Sequence, residues 1–160
     1  MNTFRKRCYS GIGDFLKDIS FFLRHFRRIR KLMKGQMLSP DFRERLMLAV
    51  TRVNDCRHCI RFHKKLALEE GLQENEIQAF LSGEYENCPD EQLPAILYAE
   101  QWAQKGGSAD EDQEKELTSI YGEETAAAIG LTLRTIRLGN LAGNSFDAFL
   151  FKISGGRRGV

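Results

Sequence analysis

Cys56, His58, Cys59 and His63 fall within eight residues, and Glu44 stands twelve positions before the first of them. Cys56, Cys59 and His63 follow i, i+3, i+7 spacing, which puts them on one face if the segment is helical. Two cysteines in the first turn of a helix meet unpaired N–H groups and a partial positive charge. Both favour thiolate over thiol. A thiolate can attack a peroxide oxygen to give a sulfenic acid, which the neighbouring thiol condenses into a disulfide. That cycle needs a base for the attacking thiol's proton and an acid for the departing hydroxide or alkoxide. Glu44 and His63, linked through water, fit those two roles. His58, between the cysteines, would as an imidazolium favour thiolate further. The same donors suit zinc, with Cys56, Cys59, His63 and either Glu44 or His58 as ligands. Structural zinc sites usually draw on two such pairs, however, and the chain has no second Cys/His pair. Neither a metal nor a cofactor is expected.

The elements that must carry these residues read as helices. Ser39, Pro40 and Asp41 give a capping hydroxyl, a proline suited to the first helical position and an acid at the positive dipole end. Phe42, Leu46, Met47, Leu48, Ala49, Val50 and Val53 then cover most of a helix's circumference, so Glu44 is a carboxylate on a buried helix. Asn54 and Asp55 interrupt the pattern and are good N-caps for a next helix over 56–70, stopped by Gly71. A tight turn at Asn54 makes the two an antiparallel hairpin. Glu44 lies ten residues before the turn and His63 nine after it, so at 1.5 Å per residue both sit roughly 14 Å from it, level with each other.

Around the hairpin the spacing predicts more helices. Phe15, Ile19, Phe22, Phe26, Ile29 and Met33 mark one ending near Gly35, with Arg24, Arg27, Arg28, Arg30, Lys31 and Lys34 on its basic side. Others run from Glu74 to Leu81 and from Asp90 to Gln104. Ser108 and Glu111 have capping-box spacing for a helix ending near Gly122. A last helix runs from Glu123 towards Leu150, with glycines 130, 139 and 143 permitting close approach or a break. On it Asn140, Asn144 and Asp147 make a polar line, read as a helix–helix hydrogen-bond set away from the active site. Cys8 and Cys88 read as ordinary thiols, Cys88 in an exposed loop before Pro89. The class is therefore all-α, a compact bundle of about six to seven helices with its active site on a helical hairpin. The expected organisation is a basic amphipathic extension over 1–37, a helical domain over 38–152 and a flexible tail over 153–160.

The 160 residues suit one cored domain. The net charge of +2 conceals an asymmetry, because residues 1–40 hold ten Lys and Arg against Asp14 and Asp18, leaving fourteen against twenty in the remainder. A basic helix beside an acidic body suits packing on its own domain or on a partner subunit, then contact with a membrane surface through residues 15–34. Nucleic acid is not expected, since no binding motif accompanies the charge. The N-terminus lacks an apolar core of signal-peptide length, and no run is long enough to span a bilayer, so a reducing cytoplasm is the expected compartment.

The stretch RERLMLAVTRVNDCRHCIRFH, with its Glu-x11-Cys-x-His-Cys-x3-His spacing, resembles the alkylhydroperoxidase D-like branch of the carboxymuconolactone decarboxylase family. Weaker likeness extends through AILYAEQWAQ to IRLGNLAGNSFDAFL, covering roughly residues 38–150. The resemblance implies an all-helical fold assembled as dimers, trimers or hexamers, and reduction of hydroperoxides through the C-x-x-C disulfide. It implies Cys59 as the peroxidatic thiol. Cys56 would resolve it and meet a thiol reductant, which in the family can be a dihydrolipoyl group on a carrier protein. The decarboxylases that name the family generally lack the cysteine pair, so redox chemistry is the better expectation. Non-enzymatic redox sensing, partner binding and decarboxylation are the alternatives.

Overall fold

The computed structural model describes residues 3–159. Among these, all regular structure is helical: α1 (Ile12–Met33), α2 (Pro40–Asn54), α3 (Arg57–Glu69), α4 (Glu74–Ser82), α5 (Leu93–Gln104) and α6 (Glu111–Ile153). Gly122 breaks α6 into two arms, with φ 77° and ψ 163° inside an otherwise helical run. Only glycine takes that combination at little steric cost. The break falls where the sequence placed a boundary between two helices.

α2 is the centre of the bundle and packs against α3, α4, α5 and α6. Every residue from Phe42 to Thr51 is buried, including Arg43, Glu44 and Arg45. Buried charges need partners. Arg45 Nε donates to Glu76 Oε1 at 2.7 Å, and its Nη1 donates to Asp41 at 2.5 Å and to Gln92 Oε1 at 3.2 Å. These bonds tie α2 to α4 and to the turn before α5. The apolar core surrounds α2 with Leu32, Ile77, Phe80, Ile96, Ile129 and Leu133.

α1 lies along α6 and buries Ile29 and Leu32. Before it, residues 3–10 cross the C-terminal arm of α6 as an extended strap. Asn144 Nδ2 donates to the Arg7 carbonyl at 2.9 Å, and Tyr9 N–H donates to Ser145 Oγ at 3.1 Å. At the other end, residues 154–159 turn back on α6, with Gly156 N–H donating to the Phe151 carbonyl at 2.8 Å.

The helix ends differ from the sequence expectations in instructive ways. Ser39 occupies the N-cap of α2, but its side chain caps no backbone N–H and instead acts on the Asp41 carboxyl, helping to lower its pKa. Asn54 and Asp55 do not cap α3: Asn54 is the last residue of α2, and Asp55 is its left-handed C-cap at φ 52°. The N-cap of α3 is Cys56, whose sulfur accepts the Cys59 N–H at 3.3 Å. α5 starts at Leu93 rather than Asp90, because 90–92 form a turn over Pro89. The capping box at the start of α6 is Asp110 with Gln113, not Ser108 with Glu111, and the Ser108 hydroxyl is spent on the Lys105 carbonyl.

Candidate active site

The α2–α3 hairpin positions the reactive residues. α2 ends in a left-handed residue, so the chain reverses within Asp55 and Cys56 and α3 runs back along α2. Glu44 and His63 meet as helix counting requires. Glu44 Oε2 and His63 Nδ1 are 2.7 Å apart, and both side chains are buried. The bond is direct, where the sequence reading put a water between them. Arg43 completes the group. Its Nε and Nη2 each lie 3.0 Å from Glu44 Oε1, while Nη1 donates to the Leu32 and Met33 carbonyls at the end of α1.

The Cys56 and Cys59 sulfurs lie at disulfide distance, with Cα atoms 5.3 Å apart. Their environments differ. Cys56 is 0% exposed, shut in by α6. A Cβ placed on Gly143 would come within 3.0 Å of its sulfur, so glycine is what allows α6 to approach so closely. Cys59 is partly exposed and, with His58 and His63, lines an open pocket of about 370 Å³. Met33, Met47, Phe62 and Ile136 make the rest of that pocket predominantly apolar.

The polar line on α6 forms the expected helix–helix hydrogen-bond set through Asn140 and Asn144, but it also reaches the site through Asp147. Asn140 accepts from Asn54 Nδ2 and donates to Thr51 Oγ1, both at 3.1 Å, and Asn144 Nδ2 donates to the Asn54 carbonyl at 2.7 Å. Asp147 goes further. Its buried Oδ1 accepts from Arg57 Nη2 at 2.8 Å and faces His58 Nε2 at 3.1 Å. Burial opposes ionisation of Asp147, but the bonds to Arg57 and His58 outweigh it and hold the carboxyl below the usual carboxylate range. The signal was present as three polar residues on a largely apolar helix. Their target could not be read, because 89 residues separate Asp147 from His58.

The remaining candidates lie outside the site. Cys88 is buried rather than exposed in a loop, and burial pushes its thiol up to about 11. Cys8 sits in the strap, where burial raises its pKa against a hydrogen bond to Ser145. His25 bonds the Phe21 carbonyl and stacks on the Phe21 ring, a structural role. Among the described residues, no group of three or more His, Cys, Asp or Glu is placed to hold a metal ion.

The model of the carboxymuconolactone decarboxylase family matches residues 22–105, more than half of the chain and the whole of the hairpin. The chain belongs to that family. The match begins inside α1, earlier than the resemblance seen in the sequence, and ends with α5. No curated protein and no solved structure matches the chain. Within the family, a cysteine pair at disulfide distance fits the alkylhydroperoxidase D-like redox branch.

Proposed function

We propose that this family member is a thiol-dependent hydroperoxide reductase that cycles a Cys56–Cys59 disulfide. One observation carries the reading: Cys59 faces an open apolar pocket that it shares with His63, and a buried glutamate fixes that histidine at 2.7 Å. Cys59, once reduced, attacks the outer oxygen of a hydroperoxide. The His63–Glu44 pair takes the thiol proton and passes it to the departing hydroxide or alkoxide. Cys56 then displaces hydroxide from the Cys59 sulfenic acid and closes the disulfide. A thiol reductant, such as a dihydrolipoyl group on a carrier protein, reopens it, and a reducing compartment such as the cytoplasm would supply one.

The apolar pocket wall supports organic hydroperoxides as substrates. Exposed Ile12, Leu16, Leu23 and Phe26 on α1 leave an apolar stripe beside the basic one, which supports assembly with further copies of the chain. The test is peroxide consumption by the purified protein with dihydrolipoamide. Wild-type protein should turn over, and Cys59→Ser should not while keeping its helical circular dichroism. Equal activity in that variant would overturn the assignment. Reversible oxidation without turnover would favour a redox-sensing module instead.

A further inference from the structure

The site holds two histidine–carboxylate pairs, and the mechanism above uses one. Glu44–His63 is buried between α2 and α3. Asp147–His58 joins α6 to the first turn of α3, its carboxylate fully buried and its imidazole half exposed at the pocket. Asp147 Oδ2 has no hydrogen-bond partner among the described residues, so the carboxylate's polar contacts converge through Oδ1 on Arg57 and His58.

We propose that Asp147 is a positioning residue for the reductive half of the cycle, holding His58 as the general base that activates the incoming thiol reductant. The inference rests on the disulfide-cycling reading but not on peroxide as the oxidant. A carboxylate only accepts, so it selects the His58 tautomer with hydrogen on Nε2 and leaves the Nδ1 lone pair as the basic position. A buried carboxylate behind an imidazole is the arrangement that orients a histidine base in other thiol and hydroxyl chemistries. Charged and titratable groups facing this pair include Arg57 on α3 and Cys8 on the strap, and His63 lines the same pocket.

The burial difference between the sulfurs fixes the direction of attack. Cys56, which the family resemblance would have meet the reductant, is closed off and Cys59 is open, so a thiol reaching the disulfide meets the Cys59 sulfur instead. His58 Nδ1 takes the proton of the reductant's first thiol, and the resulting thiolate bonds to Cys59 Sγ. The Cys56–Cys59 bond breaks, and Cys56 leaves as a thiolate at the N-cap, where the Cys59 N–H already points at its sulfur at 3.3 Å. The imidazolium returns its proton to Cys56. The reductant's second thiol then attacks its own sulfur in the mixed disulfide, releasing Cys59 as a thiol and the reductant as a disulfide. One dithiol is oxidised and one protein disulfide is reduced.

The experiment follows reduction of pre-oxidised protein by dihydrolipoamide with no peroxide present, quenching in acid and counting free thiols by mass after alkylation. Asp147→Asn should slow reduction by about tenfold or more near pH 7. The deficit should shrink as pH rises above the reductant's own thiol pKa, where no base is needed. Asp147→Glu should recover part of the rate. Reduction by tris(2-carboxyethyl)phosphine, which attacks through phosphorus and brings no thiol for His58 to deprotonate, should match wild type. His58→Gln repeats the test on an exposed side chain, and decides it if Asp147→Asn does not fold. Wild-type rates with dihydrolipoamide would overturn the proposal, as would a deficit that persists at every pH or extends to the phosphine. Wild-type protein that is reduced normally but consumes no peroxide would remove the peroxidase reading and leave this one standing.

Discussion

Glu44 and Asp147 are both buried carboxylates facing an imidazole, yet their neighbours give them different work. Glu44 is also held by Arg43 in the middle of α2 while bonded to His63. Glu44→Gln preserves shape and removes the carboxylate. It should lower peroxide kcat/KM by about 10²-fold, the usual worth of a positioned acid–base group, and leave phosphine reduction of the disulfide unchanged. Gly143 makes a second residue-scale case. Gly143→Ala would set a methyl 3.0 Å from the Cys56 sulfur, and the crowding should cost about 1–3 kcal/mol in denaturant unfolding of the oxidised protein. The first of these relations was legible in the sequence because Glu44 and His63 lie on one local hairpin whose register is set by counting residues from its turn. The second was not, because contact between α3 and α6 depends on how distant segments slide against each other, and no spacing within one helix encodes that.

Among the elements outside the α2–α3 hairpin, α1 is tied to the site at its C-terminal end. Arg43 bonds Glu44 on one side and the last carbonyls of α1 on the other, and Met33 from the same helix end lines the pocket. Arg43→Met would fill the space but leave a buried carboxylate without its guanidinium, which should cost about 3–5 kcal/mol in urea unfolding. A loss below about 1 kcal/mol would show that Glu44 finds another partner or binds a proton instead. Helix existence was read well from apolar periodicity, and the helix ends less well. Ser39, Asn54, Asp55 and Ser108 all have capping chemistry, but each is drawn to a different neighbour: a carboxylate, a distant asparagine, a left-handed turn or a loop carbonyl. Capping propensity says what a side chain can do. Competition among nearby partners decides what it does.

At the scale of the molecule, charge and burial set the range of pH over which the fold holds. Asp147 and Asp41 have carboxyls held below the ordinary range, Asp41 because its bonds to Ser39, Arg45 and Gln92 outweigh burial. Their contribution is present above the unfolded-state value of about 3.9 and is lost as pH falls through the folded values. Cys88 behaves oppositely: its contribution is present below the unfolded thiol value and is lost as pH rises towards about 11. Denaturant midpoints should therefore form a plateau that falls on both sides, and Asp147→Asn should blunt the acid limb. The basic head meets the acidic body within the chain through Lys6 with Asp55, while Arg137 of the body pairs with Asp18, one of the head's two acids. None of the helices among the described residues is long and apolar enough to cross a membrane. The central place of α2 has a kinetic consequence as well. A helix buried from Phe42 to Thr51 and covered by four others cannot expose its backbone by fraying or by the detachment of any one neighbour. Its amide protons should therefore trade with deuterated solvent last, at the rate of whole-molecule opening, while those of the arm before Gly122 trade early.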